Sequence, residues 1–200
     1  MGKILNYYSP GIWRSIHIAN NSLDLEEFYK VFSYFMKAIP CSLCRMHVAK
    51  YIQETYGSFK AILNLGEEEY RTFSWRFHND VNLRLDKEEI SFEEYQEIKA
   101  GDRIDYYGPG IWRSIHTWSY LITKENDLFV FRKFILALKD ELLPDSQRVL
   151  KGFMKERDIL NEDITTRLGL FYWSSTLHNR YNQILGKDYF NPDTAWAIYK

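Results

Sequence analysis

The stretch Cys41-Ser42-Leu43-Cys44 has the residue types and spacing to do chemistry. Two thiols three positions apart can close a disulfide across one helical turn and reopen it by exchange with an incoming thiolate. Pro40 stands just before them, where proline suits a helix start. A thiol at a helix N-terminus meets unpaired amides and the positive end of the dipole, and both favour the reactive thiolate. Arg45 and His47 add positive charge nearby. The chain holds 2 cysteines in all, which excludes a disulfide scaffold and points to redox or metal chemistry. A pair of buried apolar cysteines is the bland alternative. Half of a zinc site is another, but no second CxxC or paired histidine cluster completes four ligands, so no metal is expected.

The elements that must position this dithiol read as helices. Asp24 with Glu27 forms a capping-box pattern ahead of the amphipathic run Leu25, Phe28, Val31, Phe32, Phe35 and Met36. The CxxC opens a helical run, with a third helix carrying Met46 to Tyr56 and a fourth from about Glu68 to Leu85. Ser91 with Glu94 is a second capping box and opens a short last helix. Strand-like alternation is absent.

The chain also repeats itself. Residues 7–17 read YYSPGIWRSIH and residues 106–116 read YYGPGIWRSIH, differing only at Ser9 and Gly108. A second echo sets His78-Asn79-Asp80-Val81-Asn82 against His178-Asn179-Arg180-Tyr181-Asn182. Two blocks in the same order at nearly the same offset read as a duplicated domain, with a boundary near Gly101. The expected architecture is all-α, two tandem helical bundles spanning residues 1–100 and 101–200.

In the first half, the order W-x-x-x-H, P-C-x-x-C, H-N-x-V-N resembles the Erv/ALR sulfhydryl oxidases. It is carried by Trp13, His17, Pro40, Cys41, Cys44, His78, Asn79, Val81 and Asn82. The wording GPGIW is similar to the viral branch of that family. The resemblance implies a four-helix bundle with a short fifth helix, holding FAD. It implies Trp13 and His17 on the flavin side, His78, Asn79 and Asn82 at the adenine and ribose, and Lys87 on the phosphate side. Cys44 would face the isoalloxazine ring and Cys41 the incoming thiol. The implied activity takes electrons from a thiol-bearing protein and gives them through FAD to oxygen, yielding hydrogen peroxide. Relatives often carry an extra shuttle cysteine pair; without one here, the dithiol meets its substrate directly, and a thioredoxin-like protein is the expected kind.

The second half departs from the pattern. Its counterpart to the dithiol is Pro144-Asp145-Ser146-Gln147-Arg148, which cannot run thiol chemistry. Yet it keeps Trp112, His116, His178, Asn179, Asn182 and Lys187. Those residues either pack that half's core without flavin or hold FAD as a structural ligand. Family members often pair as homodimers, so the two halves are expected to dock as an intramolecular pseudo-dimer. The reading from another class is a non-catalytic scaffold or interaction protein, with Cys41 and Cys44 as a local staple.

Composition limits the rest. Net charge is −1 with 26 basic and 27 acidic residues, which gives no electrostatic case for nucleic acid or membrane surfaces. No apolar run approaches the roughly 20 residues of a membrane helix. The N-terminal residues lack a signal-peptide core, and Asn6 breaks the myristoylation pattern that Gly2 invites. A cytoplasmic location is the expectation.

Overall fold

A computed structural model describes residues 2–98, 104–122, 130–131, 133–134, 164–184 and 186–199. Those residues are helical and contain no strand. The expected boundary near Gly101 and the segment Pro144 to Arg148 lie outside the described residues.

The first half runs α1 (Gly2–Ser22), α2 (Leu25–Ala38), α3 (Ser42–Tyr56), a 3₁₀ turn (Phe59–Asn64), α4 (Glu67–Arg84) and α5 (Phe92–Glu97). The second runs α6 (Ile104–Leu121), α7 (Arg167–Ile184) and α8 (Pro192–Tyr199). Local chemistry sets many of these ends. Asp24 accepts from the Glu27 amide and caps α2. Ser91 and Glu94 form the reciprocal capping box of α5. Gly57 ends α3 in the left-handed region at φ 76°, a conformation glycine adopts without a Cβ clash.

The first-half core is aromatic. Phe28, Phe32 and Phe35 fall at helical spacing on the buried face of α2. Phe32 meets Phe73 and Phe77 of α4 edge-on at 5.0 and 5.7 Å, the arrangement ring quadrupoles prefer. Val48 and Ile52 of α3 and Ile12 and Ile16 of α1 complete the buried cluster.

Polar contacts then fix α1 on α4. The Asn20 side chain donates to Tyr70 O (2.8 Å) and accepts from the Ser74 amide (2.7 Å). Those two backbone groups are an i, i+4 pair, so Asn20 inserts its amide into the hydrogen-bond ladder of α4. The Tyr70 hydroxyl donates back to Leu23 O at 2.7 Å. Burial of these groups is tolerated because each finds a partner.

The halves also touch. Helix α1 packs along α6, and α6 packs on α7 much as α1 packs on α4. The Trp118 indole of α6 donates to Ala38 O at the end of α2 (2.8 Å) and meets Phe35 edge-on at 6.2 Å. No described helix is long and apolar enough to cross a membrane.

Candidate redox and cofactor site

Helix α3 begins at Ser42, so Cys41 is its N-cap and Cys44 lies in its first turn. The two are joined as a disulfide with Cα atoms 5.2 Å apart. The Cys44 amide points at Cys41 Sγ (3.2 Å), a direct donor to that sulfur. Once the bond opens, this amide and the dipole of the 15-residue helix stabilise negative charge on Cys41. Upstream, the Arg45 guanidinium donates to Ile39 O and ties down the approach to the dithiol. His47 Nε2 lies 2.7 Å from Asp80 Oδ2 and bridges α3 to α4. Its pKa is lowered, by burial first and then by Arg84, with Asp80 opposing.

Both cysteines wall an apolar cavity of about 300 Å³, with Trp13, Phe35, Phe77 and Val81 among its other walls. A second cavity of about 260 Å³ adjoins it and is more polar, lined by Arg14, His17, His78 and Asn82. Trp13, Val81, Leu85 and Lys87 belong to both. One end is therefore apolar and next to the disulfide, the other carries imidazoles, and Lys87 stands where they join.

The imidazoles form a chain. His17 Nδ1 meets Ser74 Oγ at 3.0 Å and His17 Nε2 meets His78 Nδ1 at 2.9 Å. Trp13 lies flat on His78, with centroids 4.0 Å apart and planes 9° from parallel. Burial lowers the pKa of His17 well below its ordinary value, helped by His78 and Arg14. Burial, then Lys87, lowers that of His78 to about 4. Both rings are neutral at physiological pH.

The second half repeats the chain: His116 Nδ1 meets Ser174 Oγ at 3.1 Å, and His116 Nε2 meets His178 Nδ1 at 3.0 Å. Its hydrogen positions follow from counting. Ser174 gives its single hydroxyl proton to Phe171 O, so it accepts from His116 Nδ1. His116 Nε2 then accepts from His178 Nδ1, and His178 Nε2 is left as an acceptor. The first half takes the same direction, with Ser74 donating to the Tyr95 oxygen at 3.2 Å. His78 thus offers an acceptor nitrogen, and its ring lines the second cavity.

The two asparagines do a different job from each other. Asn79 donates to Ile90 O and accepts from the Ile90 amide, both at 2.9 Å, and lines neither cavity. The sequence reading placed it at the adenine and ribose; in the structure its amide latches the loop after α4. Asn82 donates to Glu88 O at 3.1 Å and also lines the second cavity. Asn179 and Asn182 repeat both latches, on Phe190 and on Asp188. Their retention in a half without the dithiol has a structural cause, since the loop needs them. The turn recurs as well: Asp86 and Gly186 both take positive φ, at 52° and 63°, and the next amide, Lys87 or Lys187, donates back to the asparagine carbonyl.

Residues 11–100 match the model of the Erv1 / Alr family. The chain is also 28% identical over 122 residues to proteins named FAD-linked sulfhydryl oxidase from African swine fever virus, in a pig isolate from Kenya and a tick isolate from Malawi. Each alignment covers 58% of this chain and 98% of the relative. No solved structure matches.

Within the matched stretch, the structure brings Trp13, His17, His78, Asn82 and Lys87 to the cavities beside Cys41 and Cys44. Sequence reading missed Ser74, although it recurs as Ser174 one hundred positions on and sits one helical turn before each histidine. It also missed Trp118, and no repeat could have flagged it, because the first half has Ala19 there.

Proposed function

We propose that this chain is an FAD-linked thiol oxidase that forms disulfides in protein substrates and passes the electrons to oxygen, giving hydrogen peroxide. The observation that carries the reading is a disulfide at a helix N-terminus opening on an apolar cavity that continues, past Lys87, to neutral imidazoles. The viral relatives named FAD-linked sulfhydryl oxidase support the same activity and cofactor.

The cavities suit a dinucleotide with two flat ring systems and a charged linker. The apolar cavity would hold the isoalloxazine ring, Lys87 would neutralise the diphosphate, and the second cavity would hold the adenosine end. There His78 Nε2 would accept a hydrogen bond from an amine or hydroxyl. FAD, when bound, supplies the two-electron acceptor that protein side chains lack and hands the pair to oxygen.

A substrate thiolate attacks Cys41 Sγ, forming a mixed disulfide and releasing Cys44 as a thiolate. The substrate's second thiolate attacks its own sulfur in that mixed disulfide, which frees Cys41. The helix terminus and the Cys44 amide stabilise the departing Cys41 thiolate. Cys44, released as a thiolate on the wall of the apolar cavity, would be the member that faces the flavin. Leu43 and Met46 are each 68% exposed beside the disulfide and give a protein substrate an apolar footing. No other cysteine pair exists in these 200 residues to act as a relay, so the substrate, of thioredoxin-like kind, meets Cys41 directly.

The second half takes no flavin in this reading. Phe190 lies on His116 at 4.6 Å and 4°, and Trp112 on His178 at 4.5 Å and 9°, so each imidazole already has one of the chain's own rings stacked on it. Ile90 stands where Phe190 would be in the first half. The halves act as an intramolecular pseudo-dimer through α1 and α6.

The test is the visible spectrum of the purified chain. Flavin bands at one FAD per chain should bleach with dithiol under argon and recover in air with peroxide, and Cys44→Ser should abolish the bleaching. A chain that stays colourless and makes no peroxide after FAD is added overturns the proposal; two FAD per chain overturns the reading of the second half.

A further inference from the structure

Trp118 belongs to the second half but lines the cavity beside the Cys41–Cys44 disulfide. It is 1% exposed. A buried indole N–H needs an acceptor, and this one donates to Ala38 O at 2.8 Å. Ala38 is the last residue of α2, and its carbonyl is among those that a helix leaves without an intrahelical donor. Three residues later comes Cys41. The indole edge also meets Phe35, another wall of the cavity, at 6.2 Å and 90°. Behind it Phe131 and Phe134 stand at 5.1 and 5.6 Å and hold the ring in place. In the register of the repeat, Trp118 replaces Ala19, whose methyl group could reach neither Ala38 nor the cavity.

We infer that Trp118 is a positioning residue for the redox site: its indole N–H fixes the segment leading into the dithiol, and its ring walls the cavity beside it. The half that lost its cysteines thereby completes the site of the half that kept them. The wall function rests on the flavin reading above; the effect on the dithiol does not. With the segment from Ala38 to Cys41 held, Cys41 Sγ stays in reach of Cys44 and the disulfide resists reduction. Released, the two sulfurs meet less often and the disulfide opens more readily.

The experiment uses the full chain with Trp118→Phe, which keeps a ring and removes the N–H, and Trp118→Ala, which removes the wall. The dithiol–disulfide equilibrium is measured under argon in glutathione buffers by thiol alkylation and mass. FAD affinity and iodide quenching of flavin fluorescence are measured separately. Trp118→Phe should lower the glutathione equilibrium constant about fivefold, the worth of one hydrogen bond, while still unfolding in one cooperative transition at a lowered melting temperature. Trp118→Ala should weaken FAD binding at least about tenfold and expose the flavin to iodide. If Trp118→Ala does not fold, the glutathione result of Trp118→Phe decides alone. Values within twofold of the unaltered chain for the folded variants overturn the inference. An unaltered chain that binds no FAD overturns the oxidase reading and the wall together, while an unchanged glutathione constant in Trp118→Phe overturns the positioning role by itself.

Discussion

Lowering the pH from 7 to 5 should destabilise this protein through four buried imidazoles. In the folded chain, His17 and His116 titrate well below their ordinary value, and His78 and His178 titrate at about 4, with burial the largest cause in each case. In the unfolded chain each returns to about 6.5. The unfolded state therefore binds more protons between these values, and stability falls as pH falls through 6.5. A histidine of unfolded pKa 6.5 that stays neutral when folded loses about 2 kcal/mol of stabilisation between pH 7 and pH 5. The two hydrogen-bonded pairs together lose several kcal/mol, a large part of the stability of a typical domain. Carboxylates titrate mainly below this window, so histidine dominates it. Urea melts at pH 7, 6 and 5 should show this loss, with unfolding at pH 5 taking up about four protons. Ring-proton NMR of the folded chain should show no histidine midpoint near 6.5 for these four. A stability change under about 1 kcal/mol across the window, or four ordinary midpoints, would refute the neutral hydrogen-bonded pairs.

Asn79→Ala removes both bonds to Ile90 and should destabilise by about 2–4 kcal/mol, and Asn179→Ala should do the same for the second loop. Thermal melts check both, and a change within 0.5 kcal/mol, on the order of a neutral surface substitution, would remove the latch. Phe32→Ala, in the centre of the α2–α4 ring cluster, should cost about 3–5 kcal/mol by urea unfolding. Met46→Lys should leave turnover of a small dithiol intact while raising KM for a protein dithiol, since its side chain is exposed on α3 and lines neither cavity.

Much of the site's chemistry was legible in the sequence because it depends on short spacings. Pro40 and the CxxC predicted a helix N-terminus, and Cys41 is the N-cap of α3. The helix begins at Ser42 and runs to Tyr56, with the Cys41 side chain itself as the cap. The capping residues Asp24 and Ser91 and the buried face of α2 were likewise readable, since caps and helical periodicity are local. The roles inside the H-N-x-V-N motif were not. His78 and Asn82 reach the second cavity while Asn79, one residue from His78, turns to Ile90, and a rotation of about 100° per residue around a helix separates those fates. The pairing of His17 with His78, and the neutral state burial gives both, depend on α1 and α4 meeting across 61 residues of chain. Trp118 against Ala38 spans 80 residues and exists only because α6 packs along α1. The sequence by itself determined which residues could do chemistry and which helices would carry them. Which of those side chains share a cavity, which are spent on holding a loop, and what the second half contributes to the first were decided by packing, because burial and long-range hydrogen bonds are set by how the helices meet.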